Sequence, residues 1–216
     1  MTIKLDMSKA YDRVKWCFLE KIMSKMGFDN KWIKLIMSCI NSVSYSILIN
    51  GEAHGCTTPT RGLHQGDPLS PYMFLLYAER LTALIVEAER RRQISSISIC
   101  RGSPTITHLL FADNSVIYCK SSEQESIELS AILHKSEEAI GQKINTEKSS
   151  VFFNKNTKEE TRERVKDVLG STQNVQLGKY LGLPLMIGRS KKQIFNEVRE
   201  RVGKKMTGWK EKLLSI

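Results

Sequence analysis

The chain has no run approaching the ~20 apolar residues that a membrane-spanning helix needs. Its opening, MTIKLDMSKAYDRVKW, holds neither an apolar core nor a small-residue cleavage pattern. With both membrane spans and a secretory leader excluded on sequence grounds, an intracellular protein is expected. Cysteine is sparse and unpatterned: Cys17, Cys39, Cys56, Cys100 and Cys119 include no C-x-x-C pair, which leaves packing or surface thiols rather than a zinc cluster or a disulfide frame. His64 and His108 have no second histidine at metal spacing, so hydrogen-bonded structural roles are expected for both. There is no internal repeat and no low-complexity tract, which excludes solenoid architectures. Negative charge is in short supply. With 23 Asp+Glu against 33 Lys+Arg the formal charge is +10, which favours a polyanionic partner such as nucleic acid or an anionic membrane surface.

What remains is the composition of an ordinary folded chain, 41% hydrophobic and 26% charged over 216 residues, enough to bury a sizeable core. TIKLDM alternates like a short strand. From Trp16 to Ile40 apolar residues recur at helical spacing (Phe18, Leu19, Ile22, Met26, then Trp32, Ile33, Ile36, Met37), broken by Gly27-Phe28-Asp29, so two packed helices are expected. Asn50-Gly51 between extended segments signals a hairpin. Ser70-Pro71 reads as an N-cap and first helical residue of a long helix with Phe74, Leu75, Ala78, Leu81 and Ile85 on one face. HLLFADNSVIYCK reads as strand, turn, strand; the segment after Ser121 as an amphipathic helix stopped by Gly141; KINTEKSSVFF as a turn into a strand; KYLGLPL as another short strand. The tail from Ser190 to Ile216 is basic, helical in pattern, and ends without a cap, so a truncated element is expected there. Helices and strands alternate without a βαβ rhythm. The fold class this implies is α+β, a sheet packed on helices.

Asp6 ends one expected strand and Asp113 sits in a tight turn between two others, so both carboxylates could project from one sheet edge. Hard oxygen donors from separate strands suit magnesium, whose coordination is completed by water and substrate phosphates, and two such ions support phosphoryl transfer. Spacing alone is unspecific, since a chain with 23 acids offers many pairs.

IKLDMSKAYDRVKW, GLHQGDPLSPYMFLL, HLLFADNSVIYCK, GQKINTEKSSVFF, KYLGLPL and GWKEKLLS, in that order, resemble the reverse transcriptases of non-LTR (LINE-type) retroelements, particularly those of plant genomes. The resemblance runs over essentially the whole chain. It implies a polymerase palm over residues 1–188 and the start of a helical thumb over 189–216, with the fingers subdomain that precedes the palm in the family missing here. It also implies an RNA template, a DNA primer and deoxynucleoside triphosphates as partners, two Mg2+ ions as cofactors, and a nuclear location. No protein partner is implied.

Residue by residue, the resemblance makes Asp6 the first metal-binding aspartate and gives the Met7 carbonyl to the nucleotide-bound ion. Tyr11 becomes the gate against a 2′-hydroxyl, the plain alternative being a core tyrosine. Gln65 and Gly66 would position the incoming nucleotide and templating base, the alternative being a plain helix-entry loop; Asp67 takes no role from the resemblance and is expected to assist the N-terminus of the next helix. Asp113 would bind metal. Lys148 would stabilise the departing pyrophosphate, against the alternative of a surface lysine. Tyr180, Leu181 and Gly182 match the primer-gripping hairpin, and Leu181 could instead belong to the core.

The chain departs from the family at Asn114, where a second aspartate is expected. An amide keeps one acceptor oxygen, loses the charge, and has a nitrogen that cannot bind a cation. The expectation is therefore a weak or inactive polymerase, with a doubtful second metal site. The alternative is a nucleic-acid-binding remnant without chemistry.

Overall fold

The structure, a computed structural model, describes residues 1–98, 100–111, 114–170, 179–180, 183–184 and 191–213. The chain divides into two compact units, Met1–Asn174 and Val175–Ile216.

In the first unit β1 (Thr2–Asp6) is followed by α1 (Trp16–Lys25), α2 (Asn30–Asn41), the hairpin β2 (Tyr45–Ile49) and β3 (Glu52–Thr57), then α3 (Ser70–Arg90). A short pair, β4 (Ile97–Ser98) and β5 (Thr105–Ile106), precedes the hairpin β6 (His108–Phe111) and β7 (Asn114–Tyr118). The unit continues through α4 (Glu123–Ile140), β8 (Ser150–Phe152) and α5 (Glu159–Leu169). The main sheet has the order β6-β7-β1-β8 and is antiparallel throughout. With helices on one side of this sheet, the unit has the expected α+β class.

Strand alternation decides which side the helices cover. Ile3 and Leu5 of β1 are buried and join Leu81, Ile85, Ile117, Leu129 and Ile132 in a core between the sheet and α3 and α4. A second core is built from Leu19, Met23, Ile33, Ile36, Phe74 and Tyr77. Each fully buried aliphatic side chain stabilises by about 1.5–3 kcal/mol relative to an exposed one. Within the second core, the Tyr77 hydroxyl donates to the carbonyl of Ile140 at 2.8 Å, and burial holds its pKa well above the usual tyrosine value. The Glu125 carboxylate ties the chain after α3 to the start of α4, accepting from the Ser95 N–H at 3.0 Å, the Ser95 hydroxyl at 2.8 Å and the Lys120 N–H at 2.9 Å.

Local signals hold at most boundaries. The Asp29 side chain caps α2 through the Lys31 N–H, Ser122 caps α4 through the Glu125 N–H, and Gly141 ends α4 in the left-handed region. Three expectations change. Ser70 is the first residue of α3 and not its N-cap; that position is Leu69, which offers no side-chain cap, and the Asp67 carboxylate just before it braces the helix start by accepting from the Leu69 N–H and the Ser70 hydroxyl at 3.2 Å each. Leu75 is 63% exposed, because the face set by Phe74, Tyr77, Leu81 and Ile85 turns it outward. Trp32 is likewise exposed, at the margin of the α2 face that Ile33, Ile36, Met37 and Ile40 bury.

His108 opens β6, with its Nδ1 2.9 Å from the Thr107 hydroxyl. Its pKa is lowered by burial, partly countered by Glu89 and Glu79. Because the unfolded chain takes up this proton at higher pH than the folded one, stability is present above the usual histidine pKa of 6.5 and lost as pH falls below it. His108→Gln is therefore expected to flatten the acid-side fall of the unfolding midpoint, as followed by thermal melts across a pH series. An unchanged profile would assign that fall to other groups.

In the second unit β9 (Lys179–Tyr180) pairs antiparallel with β10 (Leu183–Pro184), and α6 (Lys191–Leu213) follows. The expected single strand at KYLGLPL is thus a two-strand pair. Among the described residues no helix is long and apolar enough to cross a membrane.

Candidate active site

The site is built around the end of β1. Its alternation buries Ile3 and Leu5 and turns Asp6 to the opposite face of the sheet. Asp6 pairs with Asn114, and Asn114 pairs across its own hairpin with Phe111, so one rung over three strands carries Phe111, Asn114 and Asp6 on a common face. Phe111 is 59% exposed there.

A second segment clamps the backbone of Asp6. Its N–H donates to the Ser149 hydroxyl at 3.2 Å, and its carbonyl accepts from the Asn145 N–H at 2.9 Å. Met7 bridges to Ile144, and the Ser8 N–H donates to the Lys143 carbonyl at 2.8 Å. The Asn145 side chain accepts from the N–H groups of Glu147 and Lys148 at 3.1 and 3.2 Å, folding NTEKS into a turn that carries Lys148 beside β1.

A third segment is docked by backbone bonds. The Gly62 N–H donates to Val14 at 2.8 Å, the Leu63 N–H to Tyr11 at 2.9 Å, and the Trp16 indole N–H to Gly62 at 2.7 Å. This brings Gln65 next to Tyr11, whose ring stacks on Phe74 with centroids 4.7 Å apart and planes 13° from parallel. Tyr11 thus packs on the core, as its plain alternative required, and also lines the cleft.

The outcome is one open cavity of about 420 Å³ lined by Asp6, Met7, Ser8, Lys9, Ala10, Tyr11, Gln65, Asn145 and Lys148. Asp6, Met7, Tyr11, Gln65 and Lys148 come together in it from three distant stretches of sequence. Gly66 follows Gln65 at φ +100°, facing open space. Asp113, Leu181 and Gly182 lie outside the described residues; Tyr180 is in β9.

Three contributors had no sequence signal of their own. Lys9 lines the cavity with its backbone at φ +52°, a conformation uncommon for a side-chain-bearing residue. Asn145 and Ser149 act through contacts with Asp6 that span more than a hundred residues. Asp67 holds the start of α3 and His64 meets the Tyr45 hydroxyl at 3.4 Å, so neither is a site residue.

Among the described residues no group of three or more His, Cys, Asp or Glu is assembled to hold a metal. The donors on the rung are a carboxylate and an amide oxygen, with the Met7 carbonyl next along the chain. All are hard oxygens, which fit Mg2+ and leave most of its shell to water and phosphate.

The model of the family described as reverse transcriptase (RNA-dependent DNA polymerase) matches residues 1–185. An uncharacterized mitochondrial protein of Arabidopsis thaliana is 49% identical over 67 residues, 31% of this chain and 55% of that protein. The retrovirus-related Pol polyprotein from the type-1 retrotransposable element R2 of Popillia japonica is 29% identical over 112 residues, 52% of this chain and 18% of the polyprotein. The structure of an apo telomerase from Candida tropicalis superposes over 85% of this chain and 33% of its own, with a TM-score of 0.58 at 16% identity, a likeness of fold. This chain therefore spans little more than half of one of these relatives and a third or less of the other two.

Proposed function

Because the chain belongs to the reverse transcriptase family, we propose that the Asp6 cleft is an RNA-directed DNA polymerase site of the two-metal kind, weakened in this copy at Asn114. One observation carries the reading: five residues assigned to substrate or metal by motif alone line a single cavity.

In this reading Asp6 and Asp113 hold Mg2+ together with the Met7 carbonyl; Asp113 is joined by one peptide bond to Asn114, which is the residue paired with Asp6. When bound, the ions lower the barrier to attack by a primer hydroxyl and stabilise the leaving oxygen. The rest falls to the chain. Lys148 and Lys9 supply positive charge to a triphosphate in the same cavity. Tyr11, its ring held flat on Phe74, stands against a ribose 2′-hydroxyl. Gln65 and Gly66 meet the nucleotide and templating base, and Tyr180, Leu181 and Gly182 hold the primer. Asn114, the first residue of β7, keeps its pairing with Asp6 and Phe111 and withholds one negative charge.

That substitution also supports a second reading, a nucleic-acid binder without chemistry. Both readings require binding of an RNA–DNA hybrid through Lys and Arg, and affinity is expected to fall steeply with salt as counterions are released. Salt-insensitive binding in a fluorescence-anisotropy titration would count against both. They separate on primer extension. The polymerase reading expects a trace of Mg2+-dependent product that disappears in Asp6→Asn with hybrid affinity unchanged. If the trace is the same in both chains, only the binding reading stands.

A further inference from the structure

Every residue of β2 and β3 is exposed, on both faces of the hairpin, unlike the strands of the main sheet. Ile47, Leu48 and Ile49 are 67%, 71% and 53% exposed. Among the described residues the pair forms a two-stranded sheet of its own. An isolated two-stranded hairpin is marginal in water, and an uncharged apolar edge strand is a template for another chain.

We propose that β2 is a self-association edge, pairing antiparallel with β2 of a second copy of this chain about a two-fold axis at Ile47. The register is self-complementary. Ile47 meets Ile47 of the second copy, Ser46 meets Leu48, and Tyr45 meets Ile49 at each end, an aromatic and β-branched combination of the kind that stabilises cross-strand pairs. The phase of the backbone agrees. Ile49 and Glu52 flank the two-residue turn and face each other, so alternation directs the N–H and carbonyl of Leu48 and Ser46 away from β3. Those are the residues the two-fold axis sets opposite one another. The register irregularity of the hairpin leaves β2 regular: from Tyr45 to Ile47 the partner moves from Thr57 to His54, so the additional residue belongs to β3.

Charge selects β2 over β3 and a second copy over a charged partner. YSILI carries no charge and opposes itself without repulsion, whereas β3 brings Glu52 and a central Gly55. A five-residue edge lies well below the roughly 1,200 Å² of a stable interface, so a weak dimer is expected, with Kd of about 10–100 μM. Each copy carries a formal +10, and added salt screens that repulsion. Salt should therefore strengthen this dimer while it weakens nucleic-acid binding.

Sedimentation velocity of the full chain, from about 1 to 100 μM and at low and high salt, tests the proposal. The expected result is a monomer–dimer equilibrium favoured by salt. Ile47→Lys and Ile47→Glu are each expected to be monomeric, and mixing the two variants to restore the dimer, because position 47 meets its own copy across the axis. A parent chain that stays monomeric would leave this edge to a strand of another protein and overturn the proposal. So would a dimer that survives Ile47→Lys, or variants that stay apart when mixed. Should circular dichroism show either charged variant unfolded, Ile47→Thr keeps strand preference and is expected to weaken association at least fivefold; unchanged association would overturn the proposal as well.

Discussion

Asn114→Asp is expected to raise magnesium-dependent primer extension by about a thousandfold, or roughly 4 kcal/mol of barrier. The position decides the size of the effect. Asn114 is the direct partner of Asp6 across β1 and β7 and the partner of Phe111 across the hairpin, so a carboxylate there joins Asp6 on the same rung. The change is close to isosteric, and the backbone pairing of position 114 with Asp6 and Phe111 does not depend on the side chain, so the fold should survive. The electrostatics should not be silent. Two carboxylates paired across neighbouring strands repel one another without a cation, and the variant is expected to melt lower than the parent in chelator and to regain the difference in Mg2+. Single-turnover extension on an RNA template provides the rate, with Asp6→Asn as the baseline, in this chain and in a hybrid carrying upstream sequence of an R2 relative. A magnesium-dependent melting shift without a gain in rate would mean that the cation site is restored and that something other than Asn114 limits synthesis.

The elements that were legible in the sequence are those with their own periodicity or punctuation. The burial of Leu19, Ile33, Ile36 and Met37, the Asn50-Gly51 turn and the Gly141 stop all follow from local chemistry. α5 had no such signal: over EETRERVKDVL only Val165 is buried, so it presents no apolar stripe and is held by its packing on α4. Phe74 and Leu75 show the limit of periodicity for adjacent apolar residues. They lie about 100° apart around a helix, and only long-range packing decides which one faces inward. In the site, Asp6, Met7, Tyr11, Gln65 and Lys148 were legible because motif order carries them. Lys9, Asn145 and Ser149 were not, because their parts depend on how the turn near residue 145 folds back on the end of β1.

Gly62→Ala and Gly66→Ala should separate two meanings of glycine in the loop that carries Gln65. Both positions have positive φ, +94° and +100°, where an alanine is strained by about 1–2 kcal/mol. Beyond that they differ. A Cβ on Gly66 would meet nothing within 4 Å, whereas on Gly62 it would lie 3.0 Å from the carbonyl oxygen of Asp12 and 3.3 Å from the Asp12 Cα. Those are backbone atoms and cannot swing aside as a side-chain tip could. The same residue gives its N–H to Val14 and takes the Trp16 indole N–H on its carbonyl, so relieving the contact means lifting the loop off the segment that carries Tyr11. Gly66→Ala is expected to destabilise by strain alone. Gly62→Ala should cost about 3 kcal/mol, lowering the unfolding midpoint by roughly 6–12 °C for a chain of this size. The site should register the same difference. In the Asn114→Asp background, Gly62→Ala is expected to raise the KM for deoxynucleotide by displacing Gln65, while its hybrid affinity keeps the parent salt dependence. Equal destabilisation by the two substitutions would mean that the Asp12 contact is not what holds the loop, and that the docking of Gln65 beside Tyr11 rests on the backbone bonds alone.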